Sequence, residues 1–305
     1  MKLQILSTGS GPYGAIHRAH MAPVIAALGD SEIFWDPSRR VGGGYNQPLK
    51  GFLTFALGWE EGPADVFMPH GIADKNLRNA WNIQGFRQAI VSGPAWAKKL
   101  VSQHRAWDTI FIGGYPFLDP VFENWPVAAG SVVWAPTHSN SAVDLDAASA
   151  AIQGAMAGLP SLLLVVSKHP YDQGAGGEYG MSARQMAAAK VVIADIGSTA
   201  YEAMALGKPV VFLDFMHADG QLSWWPGSFE EQIYAEKIGR HVGRPEDLAP
   251  ALADAVELGP TPHEVEFIEQ IFPAALRGVS GKVVADRLRQ LWEAKTASRY
   301  WCGAG

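Results

Sequence analysis

At 305 residues the chain is long enough for two α/β domains with complete cores. Its 24 Lys+Arg against 30 Asp+Glu give a net charge of -6, which disfavours a general duplex-binding surface. The single cysteine, Cys302, excludes an intrachain disulfide and a cysteine-type zinc site, and no apolar run reaches membrane-spanning length.

The N-terminal MKLQILSTGSG reads as a first strand, Leu3–Ser7, rather than a secretory leader. A glycine-rich turn, Thr8–Gly14, follows and carries Gly9, Gly11 and Gly14. A helix is predicted from about Ala15 to Leu28, then a strand at Glu32–Trp35. Gly42–Gly44 marks a flexible loop, and strands at Asp65–Met68, Ala89–Ser92 and Thr109–Ile112 complete the first half. The second half restarts with a strand at Ser131–Ala135 and a helix at Asp144–Ala157. Strands at Ser161–Ser167, Val191–Ala194 and Val210–Leu213 follow, then helices at Pro245–Glu257 and Lys282–Thr296. Such alternation predicts an α/β protein of two Rossmann-like, doubly wound parallel-sheet domains facing a central cleft. The expected bounds are 1–125 for the first domain and 126–280 for the second. Residues 281–305 are expected to form a C-terminal helix that can cross back to the first domain. Ligands of such sheets bind at the carboxyl ends of the strands, so chemistry is sought there.

The most informative stretch is Val191–Asp214, which reads strand, glycine turn, helix, Gly-Lys-Pro, strand. Val191–Ala194 is short and apolar, as a strand buried on both faces should be. Gly197, Ser198 and Thr199 open the helix; either hydroxyl can cap it, and its free N–H groups make an anion site suited to a diphosphate. Glu202, one turn on, suits ribose hydroxyls. Gly207 ends the helix and Pro209 blocks its continuation. Other strand ends carry polar groups too. His70 follows Asp65–Met68, where an imidazole can take a proton from an attacking hydroxyl. Thr137 and His138 follow Ala135-Pro136, and Lys168 and His169 follow the strand ending near Ser167. Thr137, Lys168, His169 and Ser198 together can neutralise a diphosphate, and no motif for a metal is present. Exposed-looking tryptophans, Trp59 and Trp224-Trp225, stand in loop-like contexts.

The order of these motifs resembles the CDP-glycerol glycerophosphotransferase (teichoic-acid polymerase) family. The matching residues are His70-Gly71-Ile72-Ala73-Asp74-Lys75, Gly114-Tyr115-Pro116 with Asp119, and Trp134-Ala135-Pro136-Thr137. Lys168-His169-Pro170, Asp195 to Ser198 with Glu202 and Lys208-Pro209, and Arg277-Gly278 with Ser280-Gly281-Lys282 complete the series. The resemblance implies a GT-B fold and a metal-independent transfer from a CDP- or UDP-linked donor, with no tightly bound cofactor. It implies His70 as base and His169 as stabiliser of the transferring group. Thr137, His138, Lys168, Gly197, Ser198, Thr199 and Glu202 would hold the donor. Gly9, Gly11, Gly14 and Lys75 would lie on the acceptor side. The acceptor would be a hydroxyl on a polyol, sugar or polymer, with modified DNA a subordinate case. The expected location is cytoplasmic, free or peripheral to a membrane, although no Lys/Arg-rich amphipathic stretch stands out. Where the family has an arginine after Ala-Pro-Thr, this chain has His138-Ser139-Asn140. The Gly197 turn and Gly207-Lys208-Pro209 also fit a UDP-sugar 2-epimerase-like enzyme, and a non-catalytic nucleotide-binding module is the remaining alternative.

Overall fold

The computed structural model describes residues 1–6, 12–36, 49–57, 64–69, 71–74, 86–103, 107–127, 130–136, 145–168, 181–195, 197–217 and 227–301. In chain order the first elements are β1 (Lys2–Leu6), α1 (Pro12–Leu28), β2 (Glu32–Asp36), β3 (Leu53–Ala56), β4 (Val66–Phe67), β5 (Gln88–Val91), α2 (Pro94–Gln103), β6 (Thr109–Ile112) and α3 (Asp119–Glu123). There follow β7 (Ser131–Ala135), α4 (Leu145–Ala157), β8 (Leu163–Val166), α5 (Met181–Ala188), β9 (Val191–Ala194), α6 (Ser198–Ala205) and β10 (Val210–Leu213). Last come α7 (Phe229–Ala235), β11 (Arg240–Val242), α8 (Leu248–Leu258), α9 (Pro262–Ile271) and α10 (Ser280–Trp301).

The chain forms two compact units. The first is Met1–His70, Asn79–Pro120 and Ile271–Gly305; the second is Gly71–Arg78 and Val121–Gln270. Each holds one parallel sheet, six-stranded in the order β2-β1-β3-β4-β5-β6 and five-stranded in the order β11-β10-β9-β7-β8. Two Rossmann-like units, each with a parallel sheet, are what the strand–helix alternation predicts. The observed bounds stand beside the expected 125/126 division, with the return to the first unit beginning at Ile271 and a short insert, Gly71–Arg78, assigned to the second.

In the first unit, α1 and α10 lie together on the sheet. Met21, Val24 and Leu28 meet Val284, Ala285 and Leu288 over Leu3, Ile5, Leu53 and Phe55. Each such buried Leu, Ile, Val, Met or Phe side chain contributes about 1.5–3 kcal/mol. Two starts differ from expectation. Helix α1 begins at Pro12 rather than Ala15, because the fixed φ of proline suits the first helical position. Gly14 therefore lies inside the first turn of α1, buried, and not in a preceding glycine loop. Strand β3 was not expected from the sequence; it is the bridge between β1 and β4.

Two motifs turn out to be one structural joint. Gly114 has φ +85, and a Cβ there would lie 2.1 Å from Ser280 Oγ. The Tyr115 N–H donates to that hydroxyl at 3.0 Å, and the hydroxyl donates to the Leu276 carbonyl at 2.7 Å. Asp119 accepts from the Ser280 N–H at 3.2 Å and the Gly281 N–H at 2.6 Å. Its carboxylate thus satisfies the otherwise orphan donors at the start of α10. Gly114-Tyr115-Pro116 with Asp119 and Arg277–Gly281 are therefore fold elements of the first unit, joining chain segments 161 residues apart.

In the second unit, α4 and α8 close one face of the sheet. Ala148, Ile152, Leu248, Leu252 and Ala255 pack on Val132, Val191, Ile193, Val211 and Leu213. A capping box opens α9: Glu264 accepts from the Thr261 N–H at 2.6 Å while Thr261 Oγ1 accepts from the Glu264 N–H at 3.2 Å. The other oxygen of Glu264 takes the first N–H of β10, from Val210, at 2.7 Å. Burial still pushes this carboxyl above its ordinary value, against those hydrogen bonds and the nearby Arg240.

Candidate donor site

All strands of a parallel sheet end on the same edge, so the second unit gathers its strand-end residues there. Lys168, two residues past β8, is exposed on that edge. Two strand spacings, about 10 Å, separate β8 from β9 across β7. At the end of β9 stand Asp195, buried, and then the turn into α6.

That turn corrects one sequence expectation. The cap residue of α6 is Gly197, with φ 110 and ψ -172, and no side chain caps the helix. Ser198 and Thr199 are already helical, so neither hydroxyl sits in the capping position. The Gly197 conformation is one that essentially only glycine adopts. The positive end of α6 is thereby left to its backbone N–H groups, at the edge where ligands of such sheets bind. Ser198 and Thr199 are half-buried, whereas Glu202, in the second turn, is 4 % exposed. At its far end the helix stops at Gly207, with φ +68, whose N–H returns to the Met204 carbonyl at 2.9 Å. Lys208 then lies at the opposite edge of the sheet, its ammonium 5.5 Å from the Trp125 ring centroid. Burial, and secondarily the charge of Lys190, lowers its pKa. Gly-Lys-Pro is thus a helix stop here and not part of the strand-end edge.

The segment Gly71–Asp74 lies in the same unit. A Cβ on Gly71 would meet Ser198 Oγ at 3.2 Å. Ile72 is 0 % and Asp74 1 % exposed. Both oxygens of Asp74 accept from the Phe229 N–H, at 2.9 and 3.1 Å, at the start of α7. Ser228 caps the same helix through the Glu231 N–H at 3.0 Å, so α7 begins on groups supplied by the chain itself. Sequence reasoning treated Ile72 and Asp74 as spacers between His70 and Lys75. Nothing local distinguishes them, because the partner of Asp74 is 155 residues away.

A second group missed by sequence lies at the ends of β10 and β11. Asp214 Oδ1 is 2.8 Å from His241 Nδ1, and Lys237 donates to its Oδ2 at 3.0 Å. Burial alone would raise the Asp214 carboxyl, but the hydrogen bonds and charges of His241 and Lys237 outweigh it and hold the group below its ordinary value. His217 Nε2 is 3.1 Å from the Tyr234 hydroxyl, and burial lowers the His217 pKa. The Tyr234 hydroxyl is also 3.5 Å from the Asp195 carbonyl oxygen, and burial pushes its pKa well up. The His241 ring stacks on Phe212 with centroids 4.9 Å apart. The position of Asp214, directly after an apolar strand, was the available signal. His241 was hidden because Arg-His-Val does not read as a strand.

His70, Lys75, Gly9, Gly11, Thr137, His138, His169 and the tryptophans Trp59, Trp224 and Trp225 lie outside the described residues. The structure therefore places Gly197, Ser198, Thr199 and Glu202 in the first two turns of α6 and its cap, with Lys168 on the same sheet edge and Gly14 in the other unit. Among the described residues no three His, Cys, Asp or Glu side chains are arranged to hold a metal ion. No helix among them is long and apolar enough to cross a membrane.

No protein-family model matches the chain, and no curated protein matches it in sequence. Solved structures match it in fold. The wall teichoic acid polymerase TagF superposes with a TM-score of 0.63 at 14% identity, over 97% of this chain and 90% of that one. MnaA of S. aureus, in a structure with UDP, gives 0.59 at 13% identity, over 96% and 97%. A UDP-N-acetylglucosamine 2-epimerase gives 0.53 at 12% identity, over 95% and 97%. At these identities the likeness is one of fold.

Proposed function

We propose that this chain is a GT-B transferase that moves a glycosyl or polyol-phosphate group from a CDP- or UDP-activated donor to an acceptor hydroxyl. The observation that carries the reading is the start of α6: a glycine-capped helix at the ligand edge of a parallel sheet, with no side chain as its cap. A diphosphate placed there meets backbone N–H groups and the positive helix end. Ser198 and Thr199 add hydroxyl donors, Glu202 takes ribose hydroxyls, and Lys168, Thr137 and His138 neutralise the rest. His70 acts as base on the acceptor hydroxyl, and His169 stabilises the group in transfer. Gly9, Gly11, Gly14 and Lys75 belong to the acceptor side. No metal and no tightly bound cofactor take part in this scheme. The single cysteine fits a reducing, cytoplasmic setting, free or at a membrane surface.

The neighbours support nucleotide chemistry at this fold: TagF has been soaked with CDPG, and MnaA is seen with UDP. The latter favours a second reading, a UDP-sugar 2-epimerase-like enzyme that needs no acceptor. A non-catalytic nucleotide-binding module is the third.

Thermal-shift binding against CDP, UDP, GDP, ADP and NAD, repeated with Ser198→Arg, tests the site. Stabilisation by CDP or UDP that the substitution removes is expected. No shift with any of the five nucleotides overturns the donor site. Turnover of a UDP-sugar alone, without acceptor, selects the epimerase reading, and binding without turnover of CDP-polyols or UDP-sugars selects the module.

A further inference from the structure

The ligand edge of the second sheet carries a histidine that the scheme above leaves without a task. His217 follows the short helical turn Asp214–Met216 at the end of β10, its N–H donating to the Asp214 carbonyl at 3.2 Å. Strand β10 pairs with β9, Phe212 level with Ala194, so its end stands beside the turn that enters α6. The Tyr234 hydroxyl ties the two together. It lies 3.1 Å from His217 Nε2 and 3.5 Å from the carbonyl oxygen of Asp195, two residues before the α6 cap. The Tyr234 ring is buried and packs on Phe212 with centroids 5.6 Å apart. These contacts assign the protons. A carbonyl only accepts, so the one hydroxyl proton of Tyr234 goes to Asp195. His217 Nε2 must then donate to the Tyr234 oxygen, and any further proton is gained at Nδ1. Gaining it leaves the Tyr234 bond intact.

Among the described residues, the ionisable groups around the ring and its tether are Asp214 on the same turn, Asp195 at the end of β9, Glu230 and Tyr234 on α7, Lys237 just past α7, and His241 on β11. Burial holds the half-buried His217 ring below its ordinary pKa, against the pull of Asp214. The Asp214 carboxylate is shared with His241 at 2.8 Å and Lys237 at 3.0 Å. We infer that His217 is a donor-binding residue, which contacts the diphosphate of a nucleotide seated on the start of α6 and takes up a proton as it does so. This rests on the donor site proposed above. Without nucleotide the ring is neutral. Phosphate oxygens beside it supply the negative charge that Asp214, committed to two other cations, does not, and the contact becomes a charge-assisted hydrogen bond. Tyr234 is a positioning residue: it holds the imidazole to the strand end from which α6 begins.

The test is calorimetric titration with CDP and UDP near neutral pH, in buffers of different ionisation enthalpy. Wild type is expected to take up about 0.3–1 proton per nucleotide more than His217→Gln. The phosphate of the nucleotide itself titrates alike with both proteins, so the difference reports the ring. His217→Gln is expected to raise the nucleotide Kd about 10- to 100-fold on the acid side of neutrality and less on the alkaline side. Tyr234→Phe keeps the packed ring and is expected to raise Kd about 3- to 10-fold with proton uptake retained. Ser228→Ala loosens the same helix through its cap and is expected to leave Kd unchanged. Equal losses in these last two variants overturn the positioning role of Tyr234. Nitrogen NMR of the His217 ring needs only wild type: the Nε2–H tautomer is expected without nucleotide, and both nitrogens protonated with UDP. Nucleotide binding with no extra proton uptake, an unaltered Kd in His217→Gln, or ring signals that ignore UDP overturns the contact while leaving the donor site standing. Wild type that binds none of the nucleotides overturns the donor site itself, and the contact with it.

Discussion

Helices α6 and α7 begin in the same unit but in opposite ways. The first N–H of α7 is held by the buried Asp74 carboxylate, and its cap is Ser228. Helix α6 begins at a glycine with no capping side chain. Both starts have the same orphan donors and the same positive end. The chain has supplied an internal anion to one and none to the cap of the other. In the first unit α10 follows the closed pattern, with Asp119 on its first two N–H groups. Carboxylates from distant sequence thus hold the starts of α7 and α10, whereas the start of α6 has only a glycine as its cap.

The contrast can be broken by opening the closed ends. Asp119→Ala leaves two buried N–H groups without their acceptor and is expected to destabilise the protein by about 2–4 kcal/mol, read by urea unfolding. An unchanged midpoint would show that the Asp119 joint does not hold α10. Gly197→Ala attacks the open end through its backbone. The strain at φ 110 is expected to remove about 1–3 kcal/mol and to abolish the CDP- or UDP-dependent thermal shift. Retention of both would mean the turn relaxes without consequence. Ser228→Ala removes only a cap and is expected to lower stability by about 1 kcal/mol, with nucleotide binding unchanged. The converse change closes the open end. Thr199→Asp places a carboxylate in the first turn of α6 and is expected to raise stability by about 0.3–1 kcal/mol while eliminating nucleotide binding. Unweakened CDP or UDP binding in that variant would place the donor elsewhere.

Acid titration reaches the strand-end cluster more gradually. His217 is buried with a lowered pKa, so the unfolded chain takes up a proton first as pH falls through the ordinary 6.5, and stability begins to drop there. Asp214 also has a lowered pKa. Its contribution is complete above the ordinary 3.8 and is lost as pH falls through the lower folded value. Urea unfolding between pH 7 and pH 3 is expected to show both limbs. Asp214→Asn should flatten the lower one and His217→Gln the upper one, and unaltered slopes would assign acid sensitivity to other groups.

These contrasts also explain what the sequence could reveal. Val191–Ala194 and Val210–Leu213 have their expected bounds because strands buried on both faces are continuous apolar runs ended by glycine and proline signals. Leu53–Ala56 escaped notice because Thr54 interrupts its apolar run, and its neighbours in the sheet are β1 and β4. The Gly197 turn was legible as the entry to a helix, yet Ser198 or Thr199 was expected as the cap, since residue type suggests a cap while only backbone dihedrals assign it. Asp74 and Asp119 were unreadable as helix-end groups because their partners lie 155 and 161 residues away. The residues at Gly114–Asp119 and Arg277–Gly281 read as two separate motifs in the sequence. Their meeting shows that they hold the fold.

The return of α10 to the first sheet has a consequence for the order of events during synthesis. The long segment of the second unit, Val121–Gln270, leaves the ribosome as one continuous piece and needs only Gly71–Arg78 from earlier sequence. The first unit is begun with β1 but stays without Val284, Ala285 and Leu288 over its core until α10 has emerged. With domains folding as units and contacts of long sequence separation closing last, the unit begun earlier of the two is completed later. Until then the apolar surface of β1, β3 and α1 stands exposed, and slowed translation of the segment between α1 and α10 would prolong that window for aggregation or chaperone capture.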